Sequence, residues 1–194
     1  MDEGLNTIRV NFIEGNINFN FLEIETNSEI TLEPSKDAYI RGGTFADSTF
    51  GTQTRLTTKT NNNDQFSREA YLQFRIAELP EINIQRAVVR LYARRIDESL
   101  EIALHRITAN NAAESDITWN NTPDETDEVA VTPILTSTGP RYYEWDVTDY
   151  LKEKINFNTF NVLIKERNSI DEFIEFNSRE ASSNRPQLII THGN

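Results

Sequence analysis

Apolar and polar residues alternate with a period of two along most of the chain, which is the pattern of β-strands that bury one face. The clearest segments are residues 70–76 and 87–95, where almost every second side chain is apolar. Shorter segments at 100–104, 160–164, 174–176 and 188–190 alternate in the same way. In the two longest segments, the side chains predicted to point away from the core are Tyr71, Gln73, Arg75, Arg90, Tyr92 and Arg94.

Turn-forming residues separate these segments at short intervals, as in the pair Gly42 and Gly43 and the run 61–64. Many short alternating strands with frequent turns are typical of a sandwich or jelly roll. Residues 147–155 form the one segment with helical character, and Asp146 or Thr148 could cap it. We therefore predict an all-β fold, an antiparallel, jelly-roll-like β-sandwich with almost no other helix.

Net charge and the lack of long apolar runs argue against nucleic acid and membranes as partners. The formal net charge of −12 argues against nucleic acid, whose phosphates require a basic surface. No run approaches the 18 or so apolar residues of a membrane-spanning helix, so we expect no membrane contact. The acidic residues concentrate in 1–33 and 112–130 while the remainder is balanced, which leaves room for a local basic patch.

The ends and the cysteine count bear on localisation. The chain has no cysteine, so a secreted form would fold without disulfide bonds, as bacterial exported modules commonly do. Its first residues lack the basic and apolar regions of a signal peptide. We interpret the chain as an internal piece of a longer exported protein and expect a secreted or extracellular location.

Several motifs succeed one another in a characteristic order, at residues 37–47, 67–74, 87–93, 117–121, 146–148, 176–180 and 186–188. With these motifs, residues 34–191 resemble the DNRLRE-type domain, which includes a family of alginate-binding carbohydrate-binding modules. The resemblance implies a non-catalytic module that binds an acidic polysaccharide, with alginate as the first choice. It also implies a covalently linked polysaccharide-degrading enzyme that the module targets to its substrate.

Residues 1–25 differ in character from the rest of the chain and contain a hairpin pattern around Gly15. The order apolar, Asn, aromatic at residues 17–19 resembles the closing hairpin of another carbohydrate-binding β-sandwich family. This resemblance implies that 1–25 is the remnant of a preceding sugar-binding module, that 26–33 is a linker, and that 34–194 is the binding module. The alternative is a plain N-terminal hairpin packed on the main domain.

A site for uronates needs cations to pair with carboxylates, and aromatic or amide groups to contact the sugar rings. Arg90, Tyr92 and Arg94 fit this need because they form one outward row, and Arg41 fits it because it lies in a glycine-containing loop. The alternatives are structural ion pairs with neighbouring glutamates and ordinary exposed sheet residues. The candidate ligand-binding residues are Arg41, Arg68, Tyr71, Arg90, Tyr92, Arg94 and Arg179.

Calcium is the metal that the sequence favours, as a structural ion held by oxygen ligands in loops. Asp37 and Asp47 are the candidate ligands, although no calcium-loop signature is present. Zinc is poorly supported because the chain has no cysteine and its two histidines are isolated. We expect no catalytic cofactor.

Two other functional classes remain open. One is a structural spacer or cell-surface module without a ligand, and the other is a polysaccharide lyase or hydrolase. Carboxylates are so numerous in this chain that a glycosidase-like pair has no specificity as a signal. Trp119 and Trp145 are predicted to be core anchors rather than sugar platforms.

Overall fold

The computed structural model describes residues 27–131, 135–136, 139–168 and 171–193. Their alternating segments form strands, as the sequence predicts. The strands in the first half are β1 Asn27–Leu32, β2 Lys36–Arg41, β3 Arg55–Thr58, β4 Arg68–Arg75, β5 Asn83–Ile96 and β6 Ile102–Arg106. The remaining elements are β7 Glu128–Val131, β8 Arg141–Asp146, helix α1 Thr148–Lys154, β9 Thr159–Glu166, β10 Ile174–Asn177 and β11 Gln187–Gly193.

The strands form two antiparallel sheets, which confirms the predicted all-β sandwich. Sheet A has the order β1-β11-β5-β10-β3, with β8 also paired to β5. Sheet B has the order β2-β4-β9-β6-β7. The helix predicted over 147–155 is confirmed as α1, and Asp146 Oδ1 accepts the Thr148 N–H at 3.0 Å next to its first turn. No helix in the described ranges is long and apolar enough to cross a membrane.

The main core lies between the two sheets and uses the inward positions of the alternating strands. Leu72 and Phe74 of β4 are fully buried there, as the period of two predicts. Trp145 of β8 is 1% exposed and packs edge to face against Phe176, with ring centroids 6.0 Å apart. Its indole N–H donates to the Ile102 carbonyl at 3.0 Å, a hydrogen bond from sheet A to sheet B. The predicted role of Trp145 as a core anchor is confirmed.

The outer face of sheet B carries a second, smaller core, which the alternation did not predict. The loop after β6 crosses this face and buries Ile107 and Ile117 against it, with Trp119 half-buried beside them. Asn110 is buried within the loop, where its side-chain N–H donates to the Asn121 carbonyl at 3.0 Å. Sheet B is therefore covered on both faces, although the alternation in its strands predicts one buried face and one exposed face.

Tyr71 lies beneath this loop, which corrects its predicted role as a ligand-binding residue. Its side chain does point away from the main core, but it is 0% exposed. Its hydroxyl accepts the Asn110 N–H at 3.0 Å and donates to Gln73 Oε1 at 2.8 Å. Because both functions of the hydroxyl are satisfied within the protein, Tyr71 anchors the loop and cannot stack on a sugar.

The segment predicted to be a linker, 26–33, is mostly strand. β1 pairs with β11 over its whole length, from Asn27 opposite Gly193 to Leu32 opposite Leu188. Ile30 and Leu32 pack against the main core. The predicted hairpin and module remnant in 1–25 lie outside the described residues, so they stay predictions.

Two truncations should separate the N-terminal segment from the sandwich. Removing residues 1–26 is expected to leave the free energy of unfolding unchanged. Removing 1–33 also removes β1 and should lower the free energy of unfolding by about 2 kcal/mol. Chemical denaturation of both truncated proteins measures this difference. Equal destabilisation by the two truncations would show that 1–26 is an integral part of the sandwich.

Candidate functional site

Two of the predicted binding residues lie side by side at one end of sheet B. Arg41 ends β2 and Arg68 begins β4, and the two are direct cross-strand partners, so both side chains lie on one face of the sheet. Both are half-buried. On its other side Arg68 exchanges two backbone hydrogen bonds with Lys59, which lies just after β3. We call Arg41 and Arg68 the arginine pair.

Phenylalanine rings flank the arginine pair. The Arg41 guanidinium lies 3.7 Å from the ring centroid of Phe45, and the Arg68 guanidinium lies 5.9 Å from that of Phe173. The 3₁₀ turn that carries Phe45 begins at Gly43, whose φ of +67° favours glycine. A Cβ at Gly43 would also come within 2.7 Å of the Gln65 carbonyl oxygen. Phe45 keeps 39% of its surface exposed, so its ring is available to a ligand.

Within the described part of the chain, the arginine pair lacks the carboxylate partners that its neighbours have. Lys59 forms an ion pair with Asp171 at 2.7 Å, and Arg55 forms one with Glu175 at 3.3 Å. Among the residues that the structure describes, neither member of the pair has a salt bridge, and the Nε atoms of both are buried without a hydrogen-bond partner.

The local environment disfavours the positive charge on one member of the pair. Burial, together with the smaller effect of the adjacent Arg41 guanidinium, lowers the pKa of the Arg68 guanidinium. Two adjacent, partly desolvated cations that form no salt bridge with a described residue destabilise the free protein, and an anion bound between them would relieve this cost. The arrangement is therefore suited to binding an anionic group.

The predicted row of Arg90, Tyr92 and Arg94 exists on the outer face of sheet A. Arg90 lies 4.1 Å from the ring centroid of Tyr142 and 3.7 Å from Glu144, which faces it across the β5–β8 ladder. Tyr92 packs edge to face on Tyr142 at 5.1 Å. Arg94 is exposed, and its guanidinium donates to a backbone carbonyl at 3.4 Å. The charge of Arg90 is thus offset within the protein, and the row is a weaker anion site than the arginine pair.

Arg179 belongs to a different arrangement, a cluster of carboxylates. Its guanidinium contacts Glu114 at 2.7 Å, and its backbone N–H donates to Asp37 Oδ2 at 2.8 Å. Carboxylate oxygens of Asp37, Glu114 and Glu180 all lie within 4.8 Å of one another. We call these three residues the carboxylate cluster. Because Arg179 is paired with it, Arg179 is removed from the proposed ligand-binding set.

Asp37 is the most deeply buried member of the carboxylate cluster, with 1% of its surface exposed. Burial raises the pKa of the Asp37 carboxyl well above its usual value; the N–H of Arg179 lowers it, and Glu180 and Glu114 raise it further. Its predicted partner Asp47 lies elsewhere, in an exposed loop, where its carboxylate accepts the Asn120 side-chain N–H at 2.7 Å. The pairing of Asp37 with Asp47 at one metal is therefore corrected.

A groove of about 620 Å³ lies beside α1. Lys154 lies 4.7 Å from the ring centroid of Phe157, which is 56% exposed. The other cations of the groove are engaged, since Arg106 pairs with Glu153 and the Lys36 ammonium donates to the Ala112 carbonyl at 2.8 Å. The groove is an alternative binding site, but it contains fewer unpaired cations than the arginine pair.

Sequence reasoning missed Phe45, Phe173, Glu114 and Glu180. The only available signal was the repeated Ser-Arg-Glu-Ala motif at 67–70 and 178–181, which suggested Arg–Glu ion pairs. In the first copy Glu69 instead pairs with Lys165 at 2.9 Å, which leaves Arg68 for the arginine pair. In the second copy Arg179 does contact Glu180, at 3.9 Å, and Glu180 also joins the carboxylate cluster. The two copies thus have opposite local electrostatics.

Two known proteins show partial similarity to this chain. A gellan lyase from Bacillus sp is 28% identical over 94 residues, which are 47% of this chain and 4% of the lyase. A solved structure of the CBM22-1 and GH10 modules of Clostridium thermocellum xylanase 10B with xylohexaose is 9% identical, with a TM-score of 0.36. That similarity covers 86% of this chain and 29% of the xylanase chain. The chain thus spans a small part of both proteins.

The match to a protein family covers most of the chain. The model of carbohydrate-binding module family 96 matches residues 28–192, from β1 to β11. This match includes both sheets, the loop over sheet B, the arginine pair and the carboxylate cluster. The chain therefore belongs to carbohydrate-binding module family 96.

Proposed function

We propose that this module binds an acidic polysaccharide, with alginate as the first choice, and that the arginine pair is the centre of its site. The observation that carries the proposal is the adjacency of two half-buried guanidinium groups that have no carboxylate partner in the described part of the chain. A uronate supplies the missing partner as one carboxylate per sugar residue. Arginine suits this ligand because its planar donors can bind a carboxylate in a bidentate manner.

The ring of Phe45 supports the same assignment. It is stacked against Arg41 and partly exposed, so a sugar ring could lie against it while the carboxylate of that sugar meets the pair. Arg95 lies 4.4 Å from the ring of Phe173, but its guanidinium pairs with Asp97 at 2.7 Å, so it adds no unpaired charge to the site. Several weak contacts along a polymer are needed, because one exposed ion pair contributes only up to about 1 kcal/mol.

The acidic total charge of the module does not oppose this proposal. Net charge governs attraction at long range, whereas contacts at the site act within a Debye length of about 8–10 Å in ordinary salt. We expect repulsion between the module and a polyanion to slow their association, while the paired contacts retain their strength.

The proposed ligand implies a wider role for the module. We propose that the module is non-catalytic and secreted, and that it directs a covalently linked polysaccharide-degrading enzyme to its substrate. The named relative is a lyase that includes a segment similar to half of this chain, which is consistent with a module inside a larger degradative protein.

The ligand assignment is tested by comparing alginate oligomers with their carboxyl-reduced, neutral counterparts in isothermal titration calorimetry. We expect the uronate oligomer to bind at least about tenfold more tightly, a difference of roughly 1.4 kcal/mol. Gellan serves as a further acidic ligand, because a gellan lyase contains a segment similar to part of this chain, and xylohexaose serves as a neutral control.

Each other result would contradict a defined part of the proposal. Equal binding of neutral and acidic oligomers would indicate an aromatic platform for neutral glycans. Preference for gellan over alginate would keep the charge recognition and replace the polymer. Binding of no glycan would favour a structural spacer, and release of unsaturated uronates from alginate would identify a lyase.

A further inference from the structure

We infer that the carboxylate cluster is a binding site for one Ca²⁺ ion, formed by Asp37, Glu114 and Glu180. The three ligands come from distant parts of the chain. Asp37 lies in β2, Glu114 opens the 3₁₀ turn Glu114–Asp116 in the loop over sheet B, and Glu180 lies after β10. An ion held by all three would join this loop and the segment after β10 to the edge of sheet B.

A buried oxygen without a partner among the described residues indicates where a cation can bind. Asp37 is 1% exposed, and its Oδ1 accepts no hydrogen bond from any described residue. An unpaired buried carboxylate oxygen is costly, because it has lost its water without gaining a donor. Oxygens of Glu114 and Glu180 lie within 4.8 Å of the Asp37 carboxylate, which is a distance that one shared cation can bridge.

The charges in the cluster also favour a cation. Three carboxylates face a single guanidinium, that of Arg179, which lies 2.7 Å from Glu114 and 3.9 Å from Glu180. With all three ionised, two negative charges remain, which equal the charge of one divalent ion. The nearby Lys36 does not fill this role, since its ammonium donates to the carbonyls of Asn110 and Ala112.

Hydrogen bonds from the backbone and from one hydroxyl orient the carboxylates. The Asp37 N–H donates to Glu114 Oε1 at 2.7 Å, the Arg179 N–H donates to Asp37 Oδ2 at 2.8 Å, and the Ser178 hydroxyl donates to Glu180 Oε2 at 3.0 Å. Such outer contacts hold metal ligands in place. The turn that carries Glu114 is itself fixed by close packing on Gly51, where a Cβ would lie 2.2 Å from the Glu114 carbonyl oxygen.

The donor set favours calcium over other ions. All three ligands are carboxylates, which suit hard cations, and the site offers no sulfur or imidazole for zinc or copper. Calcium accepts irregular geometry with six to eight oxygens, some of them water, whereas Mg²⁺ demands a near-ideal octahedron and releases its water reluctantly. A cluster assembled from three separate segments fits the more tolerant ion.

The cation site is separate from the arginine pair. Asp37 and Arg41 occupy opposite ends of β2, four residues or about 13 Å apart along the strand. The inference therefore does not rest on the proposed ligand, and either can fail while the other holds.

Calorimetry on the chelator-treated full chain tests the inference with CaCl₂ and MgCl₂ as the probes. We expect one Ca²⁺ per chain, a rise of several degrees in melting temperature, and at least about tenfold weaker binding of Mg²⁺. Glu180→Gln should weaken Ca²⁺ binding at least about tenfold while the protein stays folded, because Glu180 is only half-buried. Asp47→Asn is the matched control and should bind Ca²⁺ like the wild type.

Three results would overturn the inference. The first is the absence of stoichiometric Ca²⁺ binding, which would mean that the carboxylates share a proton instead. The second is unchanged Ca²⁺ affinity in Glu180→Gln, and the third is a loss of Ca²⁺ affinity in Asp47→Asn. Luminescence of Tb³⁺ provides a second readout that is independent of stability. The wild type and Asp47→Asn should bind Tb³⁺ and release it to Ca²⁺, whereas Glu180→Gln should bind it at least about tenfold more weakly.

Discussion

Replacing Arg41 and Arg68 together by alanine is expected to abolish measurable binding of an alginate oligomer without lowering the melting temperature. Each single replacement removes a guanidinium that can pair with a uronate carboxylate, and should weaken binding about tenfold. Because the two side chains are cross-strand neighbours, their effects need not add. Titration calorimetry of the single and double variants measures these losses.

The stability of the same variants gives an independent check. Arg68 is half-buried, has no ion pair with a described residue, and lies beside another cation. Its charge therefore costs stability in the free protein, so Arg68→Met should keep or raise the melting temperature while it loses ligand. A clear fall in melting temperature would show that Arg68 has a structural role instead.

Matched controls locate the site. Arg167 forms ion pairs with Glu101 and Glu128, both at 3.0 Å, so Arg167→Ala should leave ligand affinity unchanged. Arg90→Ala tests the row on sheet A, and Lys154→Ala tests the groove beside α1. If only one of the last two variants loses affinity, the ligand binds there and the assignment to the arginine pair is wrong.

Replacing Trp145 by alanine is expected to cost about 3–5 kcal/mol of unfolding free energy, because it removes a large buried side chain and leaves a cavity. The indole is 1% exposed, packs on Phe176, and connects the two sheets through its hydrogen bond to Ile102. Denaturant unfolding monitored by circular dichroism measures the loss.

Two further variants define the cause of that loss. Trp145→Phe should cost less than Trp145→Ala, because it keeps most of the ring volume and loses mainly the hydrogen bond. Trp119→Ala should also cost less, since Trp119 is half-buried in the smaller core outside sheet B. A cost below about 1 kcal/mol for Trp145→Ala would mean that the main core does not depend on this residue.

Much of the fold could be predicted because alternation is a local property of the chain. It identified the central strands, the inward positions of β4 and β5, and the helix α1. It did not identify β1, because residues 27–32 are polar at their start and their strand character depends on the partner strand β11. The hydrogen bonds of an edge strand are supplied by a segment far away in sequence.

Alternation also determined the face on which each side chain lies, but not what covers that face. It correctly placed Tyr71 and Arg90 on outer faces. Only the tertiary structure showed that the loop after β6 buries Tyr71, while Arg90 stays accessible on sheet A. The reason is that a period of two fixes direction relative to the sheet, whereas solvent exposure depends on packing by distant segments.

The candidate sites depended on the tertiary structure in the same way. The sequence by itself determined the class of fold and the residue types suited to uronates and calcium. The strand register decided that Arg41 faces Arg68, and chain folding brought Asp37 to Glu114 and Glu180. Electrostatic and metal sites require groups that lie within a few ångströms of each other. Asp37 and Glu180 are 143 positions apart in the chain, so they meet only when the sheets and loops are assembled.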